Sequence, residues 1–199
     1  MGILNQLGRK QEFRRQVSAS RPRLYRTAYS WCHNPDLADD LVQQTICVAL
    51  QKYAQLRDMD ALNGWLFTIM ARCLADYWRS AGEVPTDMEF SPVDDFSPED
   101  AAREDEIVVR VRRAVSRLPV EQRQVLTLVD LEGFTYAEVA GILDIPVGTV
   151  MSRLSRGRST LHKRLLAVKR EEDGLSGFGT TKIGTAKTGT ATIRAIQKH

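Results

Sequence analysis

Apolar residues recur along this chain at helical spacing, and from about residue 11 to 80 no segment alternates as a strand would. Asn34-Pro35 reads as a helix start, with Asn34 as cap and Pro35 in the first turn. Leu37, Leu41, Val42, Thr45, Val48 and Ala49 then follow at steps of three and four. The next helix has the clearest rhythm, through Leu62, Trp65, Leu66, Ile69, Met70, Cys73, Leu74 and Tyr77. On this pattern Trp65 and Tyr77 belong to the core, and Phe67 and Trp78 fall off the stripe and are expected at the surface. Residues 82–98 have no such rhythm and hold Pro85, Pro92 and Pro98 among acids, which predicts a flexible linker.

Ser97-Pro98-Glu99-Asp100 predicts a new helix, continued by Ile107, Val108, Val111, Ala114, Val115 and Leu118. Pro119 stops it and opens another over residues 120–131. Thr135 and Glu138 have capping-box spacing ahead of Val139, Ala140, Ile142 and Leu143. Residues 144–148 break that short helix, and Pro146 suits the start of a second one, with Val150, Leu154, Leu161, Leu165 and Val168 as its buried stripe. The expected fold class is all-α. Two small helical domains, residues 1–82 and 98–169, are joined by an acidic linker over residues 83–97. Residues 170–199, rich in Gly and Thr with little apolar mass, are expected to be a disordered tail.

The last predicted helix changes the picture from fold to chemistry. Thr149, Ser152, Arg153, Arg156, Thr160 and Lys163 fall on one face of it, away from the apolar stripe. From Val147 to Arg170 there are seven Lys/Arg and no Asp/Glu. An arginine fork matches guanine, and Ser and Thr reach bases or phosphates, so this face suits a major groove. A merely solvated basic helix is the plainer alternative. The capping box, the turn and the segregated stripes together favour DNA binding.

Charge along the chain fits that reading. The net charge is only +3, but residues 1–26 hold seven Lys/Arg against Glu12 alone, and residues 81–106 hold ten Asp/Glu against Arg103 alone. Basic ends and an acidic middle suit two polyanion-binding parts joined by a segment that avoids nucleic acid. Cys32, Cys47 and Cys73 are an odd set with no CxxC. Without a signal peptide, they are expected to be inert thiols in a reducing cytoplasm, with Cys47 and Cys73 buried on helix stripes. No metal site or cofactor is expected, and no apolar run reaches the ~18 residues of a membrane span. His33, His162 and His199 are scattered and no nucleophile–base set stands out, so no enzyme is expected.

The N-terminal half carries two candidate surfaces. In ADDLVQQT, Asp39, Asp40, Gln43 and Gln44 sit beside the apolar stripe that includes Leu41. Such a face suits a basic partner helix or plain solvent. Further on, Trp65, Phe67, Tyr77 and Trp78 share a helix with Arg72 and Arg79, a mixture suited to unstacked bases as well as to packing.

Three segments, ADDLVQQT, GWLFTIMARCLADYWR and LPVEQRQVLTLVDLEGFTYAEVAGILDIPVGTVMSRLSRGR, resemble bacterial sigma-70-type factors. Over about residues 20–168 the chain is similar to the extracytoplasmic-function (ECF) class, which keeps only the second and fourth conserved regions. The resemblance implies core RNA polymerase and promoter DNA as partners, and an anti-sigma factor, either soluble or membrane-held, as a further one. It implies that Asp39, Asp40, Leu41, Gln43 and Gln44 dock on the β′ clamp helices, and that residues 120–131 lie near the β flap. Arg72, Asp76, Trp78 and Arg79 would capture a melted −10 strand. Thr149, Ser152, Arg153, Arg156, Thr160 and Lys163 would read the −35 duplex. Cys73 stands where family members often have Asn, and the tail lies outside the family pattern. A stand-alone helix-turn-helix regulator and a sigma mimic that sequesters an anti-sigma factor are the alternatives.

Overall fold

A computed structural model describes the backbone of residues 2–82, 111 and 114–175, and side chains over residues 8–82, 111 and 114–166. Contacts gather the described residues into two compact units, one built on residues 2–82 with 137–146 and the other on residues 114–136 with 147–175. The expected linker, the helix start at Ser97 and the tail beyond residue 175 lie outside the described residues. No strand occurs among those described.

The first unit is built on α1 (Gly2–Ala19), α2 (Arg21–Cys32), α3 (Pro35–Gln51) and α4 (Leu62–Ala81). A one-turn 3-10 helix, Tyr53–Gln55, follows α3. α3 packs against both α2 and α4, and α1 lies on α2 and α3. The Asn34 side chain accepts from the Leu37 backbone N–H at 2.9 Å, and Pro35 occupies the first turn, as its sequence predicts. The preceding corner is made by His33, whose φ of 50° is left-handed and ends α2. Phe13, Val17, Leu24, Trp31, Leu41, Val42, Leu66, Phe67, Met70 and Leu74 fill the core. At one end of it the Phe13 ring meets Tyr53 at 4.7 Å and the half-buried Trp65 at 6.3 Å.

Three of the four aromatic assignments on α4 are reversed from the pattern. Phe67 is buried, and so is Trp78 at 9% exposure, whereas Tyr77 is 44% exposed. A helical stripe continues from Leu74 by either three or four residues, and the fold takes the step of four. Phe67 is covered by Arg23, whose guanidinium carbon lies 5.5 Å from the ring centroid. One cysteine departs from expectation. Cys47 is exposed rather than buried, whereas Cys73 is buried as expected and its thiol pKa is pushed up by that burial. Leu41 is wholly buried.

In the second unit α5 (Val120–Leu126) runs on into a π-helical turn, Thr127–Leu131. The Glu132 N–H reaches back five residues to the Thr127 carbonyl at 3.0 Å. α7 (Val147–Leu175) packs on α5 through Val150, Leu154, Gly157 and Leu161. A β-carbon added at Gly157 would stand 3.5 Å from the Gln122 β-carbon and 3.7 Å from Leu126, so the two helices approach closely there. Of the expected stripe on α7, Val150, Leu154 and Leu161 are buried, Leu165 is half-buried, and the side chain of Val168 lies outside the described residues.

Between them in sequence lies α6 (Tyr136–Leu143), of which Val139 and Ile142 are buried. Asp144 then turns left-handed at φ 54°, and the Ile145 N–H bonds the Ala140 carbonyl at 3.0 Å, a Schellman closure. Pro146 follows and α7 begins at once.

Candidate nucleic-acid interface

α7 divides its basic residues by what each can reach. Arg153 lies three or four residues from Val150 and Gly157, which both face α5. Its Nη2 pairs with Glu121 Oε2 at 2.6 Å, and its side chain is 23% exposed. Arg158 forks onto Asp130 at 3.1 and 2.5 Å. Asp130 is almost wholly covered, its side chain 4% exposed, and its hydrogen bonds raise the guanidinium pKa above the ordinary arginine value. Arg156 and Lys163 are exposed and have no partner among the described residues.

The face turned away from α5 therefore carries Ser152, Ser155, Arg156, Ser159 and Lys163, with Thr149 and Thr160 along its flank. Ser152 Oγ donates to the Thr149 carbonyl at 3.0 Å, a bond within the helix that leaves its oxygen a free lone pair. Met151 is the most exposed apolar side chain in this stretch. Of the six residues expected at DNA, five lie on this face or its flank. Arg153 is the exception, drawn onto α5 by Glu121. Sequence spacing alone did not distinguish it from Arg156, because the carboxylate that holds it lies more than thirty residues away.

A third arginine of this unit is fully structural. Arg123 is buried, and its Nη1 donates to the Ser116 carbonyl at 2.7 Å. The signal for it was faint: one arginine on an otherwise apolar side of a short helix.

On α4, Arg72, Asp76 and Arg79 share an exposed face, and Arg79 pairs with Asp76 at 3.0 Å. Trp78 does not join them. Its burial removes it as a stacking surface for a base, and Tyr77 is the exposed aromatic at that end of the helix. On α3, Asp40, Gln43 and Gln44 are exposed, and Asp39 pairs with Arg21 at 3.3 Å. Leu41 faces the core, so it anchors this surface from beneath and cannot touch a partner. Among the described residues no group of His, Cys, Asp and Glu is arranged to hold a metal, and no helix is long and apolar enough to cross a membrane.

Residues 17–84 match the family Sigma-70 region 2, and residues 109–161 match Sigma-70, region 4. The ECF RNA polymerase sigma factor EcfG of Rhodopseudomonas palustris is 34% identical over 168 residues, 83% of this chain and 89% of that one. The ECF RNA polymerase sigma factor SigM of Mycobacterium tuberculosis is 34% identical over 143 residues, 71% of each. A solved structure of the sigma factor RpoE with the anti-sigma factor NepR, from Bartonella quintana, superposes with a TM-score of 0.61 at 26% identity. That match covers 78% of this chain and 97% of the RpoE chain. With both regions present in order and relatives matched over most of their length, the chain belongs to the sigma-70 family, in the ECF class of RNA polymerase sigma factors.

Proposed function

We propose that this sigma factor docks on core RNA polymerase through the exposed α3 positions Asp40, Gln43 and Gln44, with Asp39 at their edge. It then directs initiation at promoters whose −35 duplex meets α7 and whose melted −10 strand meets the end of α4. Residues 1–82 and 98–169 act as the two functional modules, with residues 83–97 as the link. The observation that carries this reading is the partner-free Arg156 on an outward face of small polar residues, in a chain that also holds region 2.

The action is binding rather than catalysis. One module holds the duplex and the other traps unpaired bases. Opening a few base pairs costs several kcal/mol, and stacking returns about 1–3 kcal/mol per base. Arg72, Asp76 and Arg79 line the single strand, and Tyr77 takes the stacking part that the resemblance implied for Trp78. Polymerase supplies the effective concentration that joins two weak contacts. The work takes place in the cytoplasm. There an anti-sigma factor, soluble or held at the membrane, keeps the chain from polymerase, as the NepR complex of the RpoE relative suggests.

Run-off transcription with core polymerase tests the reading. Asp40→Arg with Gln43→Ala is expected to abolish promoter-specific product and core binding while helicity by circular dichroism stays unchanged, since exposed helix changes cost under about 0.5 kcal/mol. Full core binding by the folded double variant would refute the α3 assignment. A wild-type chain that binds an anti-sigma factor but starts no transcript would make it a sigma mimic.

A further inference from the structure

Resting on the reading of α7 as the −35 helix, we propose that Glu121 sets the sequence-independent part of DNA affinity: it holds Arg153 away from DNA phosphates and so weakens binding to every duplex alike. Glu121 sits in the first turn of α5, two residues after Pro119, where backbone N–H groups stabilise a carboxylate. It is 56% exposed, whereas its partner Arg153 is 23% exposed. The 2.6 Å contact is charge-assisted. The close approach at Gly157, one turn after Arg153, brings α5 within reach of that side chain. Arg153 thus lies on the ridge of α7 that packs on α5, and the outward ridge keeps Ser152, Arg156 and Lys163.

Two consequences follow for a helix approaching a duplex. One guanidinium is withdrawn from phosphate contact. One carboxylate is placed on the flank, where any phosphate that Arg153 might take must compete with it. Phosphate contacts supply most of the affinity for random DNA and carry no sequence information. Removing one of them lowers binding to every sequence by the same factor, and leaves intact both the base-reading contacts of Arg156 and Ser152 and the ratio they set. The pair Arg158–Asp130 withdraws a second guanidinium in the same way, but Asp130 is covered and only Glu121 is open to solvent and salt.

The full chain on core polymerase would be titrated with a promoter duplex and with the same duplex scrambled at −35, across salt concentrations. Glu121→Gln is expected to strengthen binding to the scrambled duplex and to steepen the log–log salt slope by about 0.9, so that the gain shrinks roughly threefold for a fourfold rise in salt. The promoter duplex gains by the same factor, so the promoter-to-scrambled ratio is unchanged. In the Arg153→Ala background the same substitution should change nothing, and Arg153→Ala alone should leave the wild-type slope as it is. A gain that persists without Arg153 would mean that Glu121 acts only as a general negative charge, and would overturn the proposal. A slope that falls by about one unit in Arg153→Ala alone would also overturn it, because Arg153 would then already hold a phosphate. If the wild type does not distinguish promoter from scrambled duplex, the −35 reading itself fails.

Discussion

The N-terminal bundle and the α5–α7 unit handle their charged side chains in opposite ways. In the bundle the basic and acidic residues stay at the surface over a thick apolar core. Arg79–Asp76 and Arg21–Asp39 are exposed pairs that contribute little to stability. In the second unit arginine is part of the architecture. Arg123 is buried against a carbonyl, Arg158 is forked onto a covered carboxylate, and Arg153 is drawn onto α5. Among the described residues of α7, only Arg156 and Lys163 are left open on the outward face. A count of basic residues on α7 therefore overstates how many of them stand free for a polyanion.

The strongest test of this contrast lies at the end of α4. Trp78→Ala is expected to destabilise the bundle by about 3 kcal/mol, a cavity cost seen as a lower melting temperature. Tyr77→Ala should leave stability within about 0.5 kcal/mol and weaken binding to a fork with an unpaired −10 strand by about 1–3 kcal/mol. If the two effects trade places, the aromatic assignment is wrong.

Arg123→Met comes next. It removes the donor to Ser116 and should cost about 2 kcal/mol in denaturant unfolding. A neutral result would show that this arginine is not structural after all.

Arg156→Ala and Arg158→Ala then divide function from packing on one helix. The first is expected to cost about 1–3 kcal/mol at one −35 base pair, with the melting temperature unchanged. The second leaves Asp130 without its fork and should cost about 1–3 kcal/mol of stability, with little change in base preference. Equal effects on base preference would mean that α7 supplies only general charge.

The smallest effect is expected at Gly157. The space beside it accepts a β-carbon at ordinary contact distance, so Gly157→Ala should raise stability by about 0.5–1 kcal/mol through helix propensity. A loss instead would show that α5 and α7 need a closer approach than these distances imply.

Much of this was legible in the sequence because the signals were local. Asn34-Pro35 started α3, and the break after Leu143 separated α6 from α7 as expected. The misreadings have one origin. At Trp78 and Tyr77 two neighbouring positions fitted the same period, and the end of the bundle decided between them. At Cys47 the stripe was drawn slightly too wide, whereas Leu41, placed on the stripe and buried, was misread only as a docking residue. At Arg153 the decisive partner was far away in sequence. Periodicity shows that a face exists, but only packing fixes its edges.

The π-helical turn at Thr127–Leu131 gives the second unit a property of phase. Such a turn is an α-helix carrying one surplus residue. Deleting one residue there would regularise the helix and rotate everything beyond it by about 100° relative to α5. Asp130 would swing away from Arg158, and α7 would lose the fork that fixes its roll. The irregular turn thus works as an angular offset between α5 and the chain that follows. A more regular, more helical variant would be the poorer reader of a promoter.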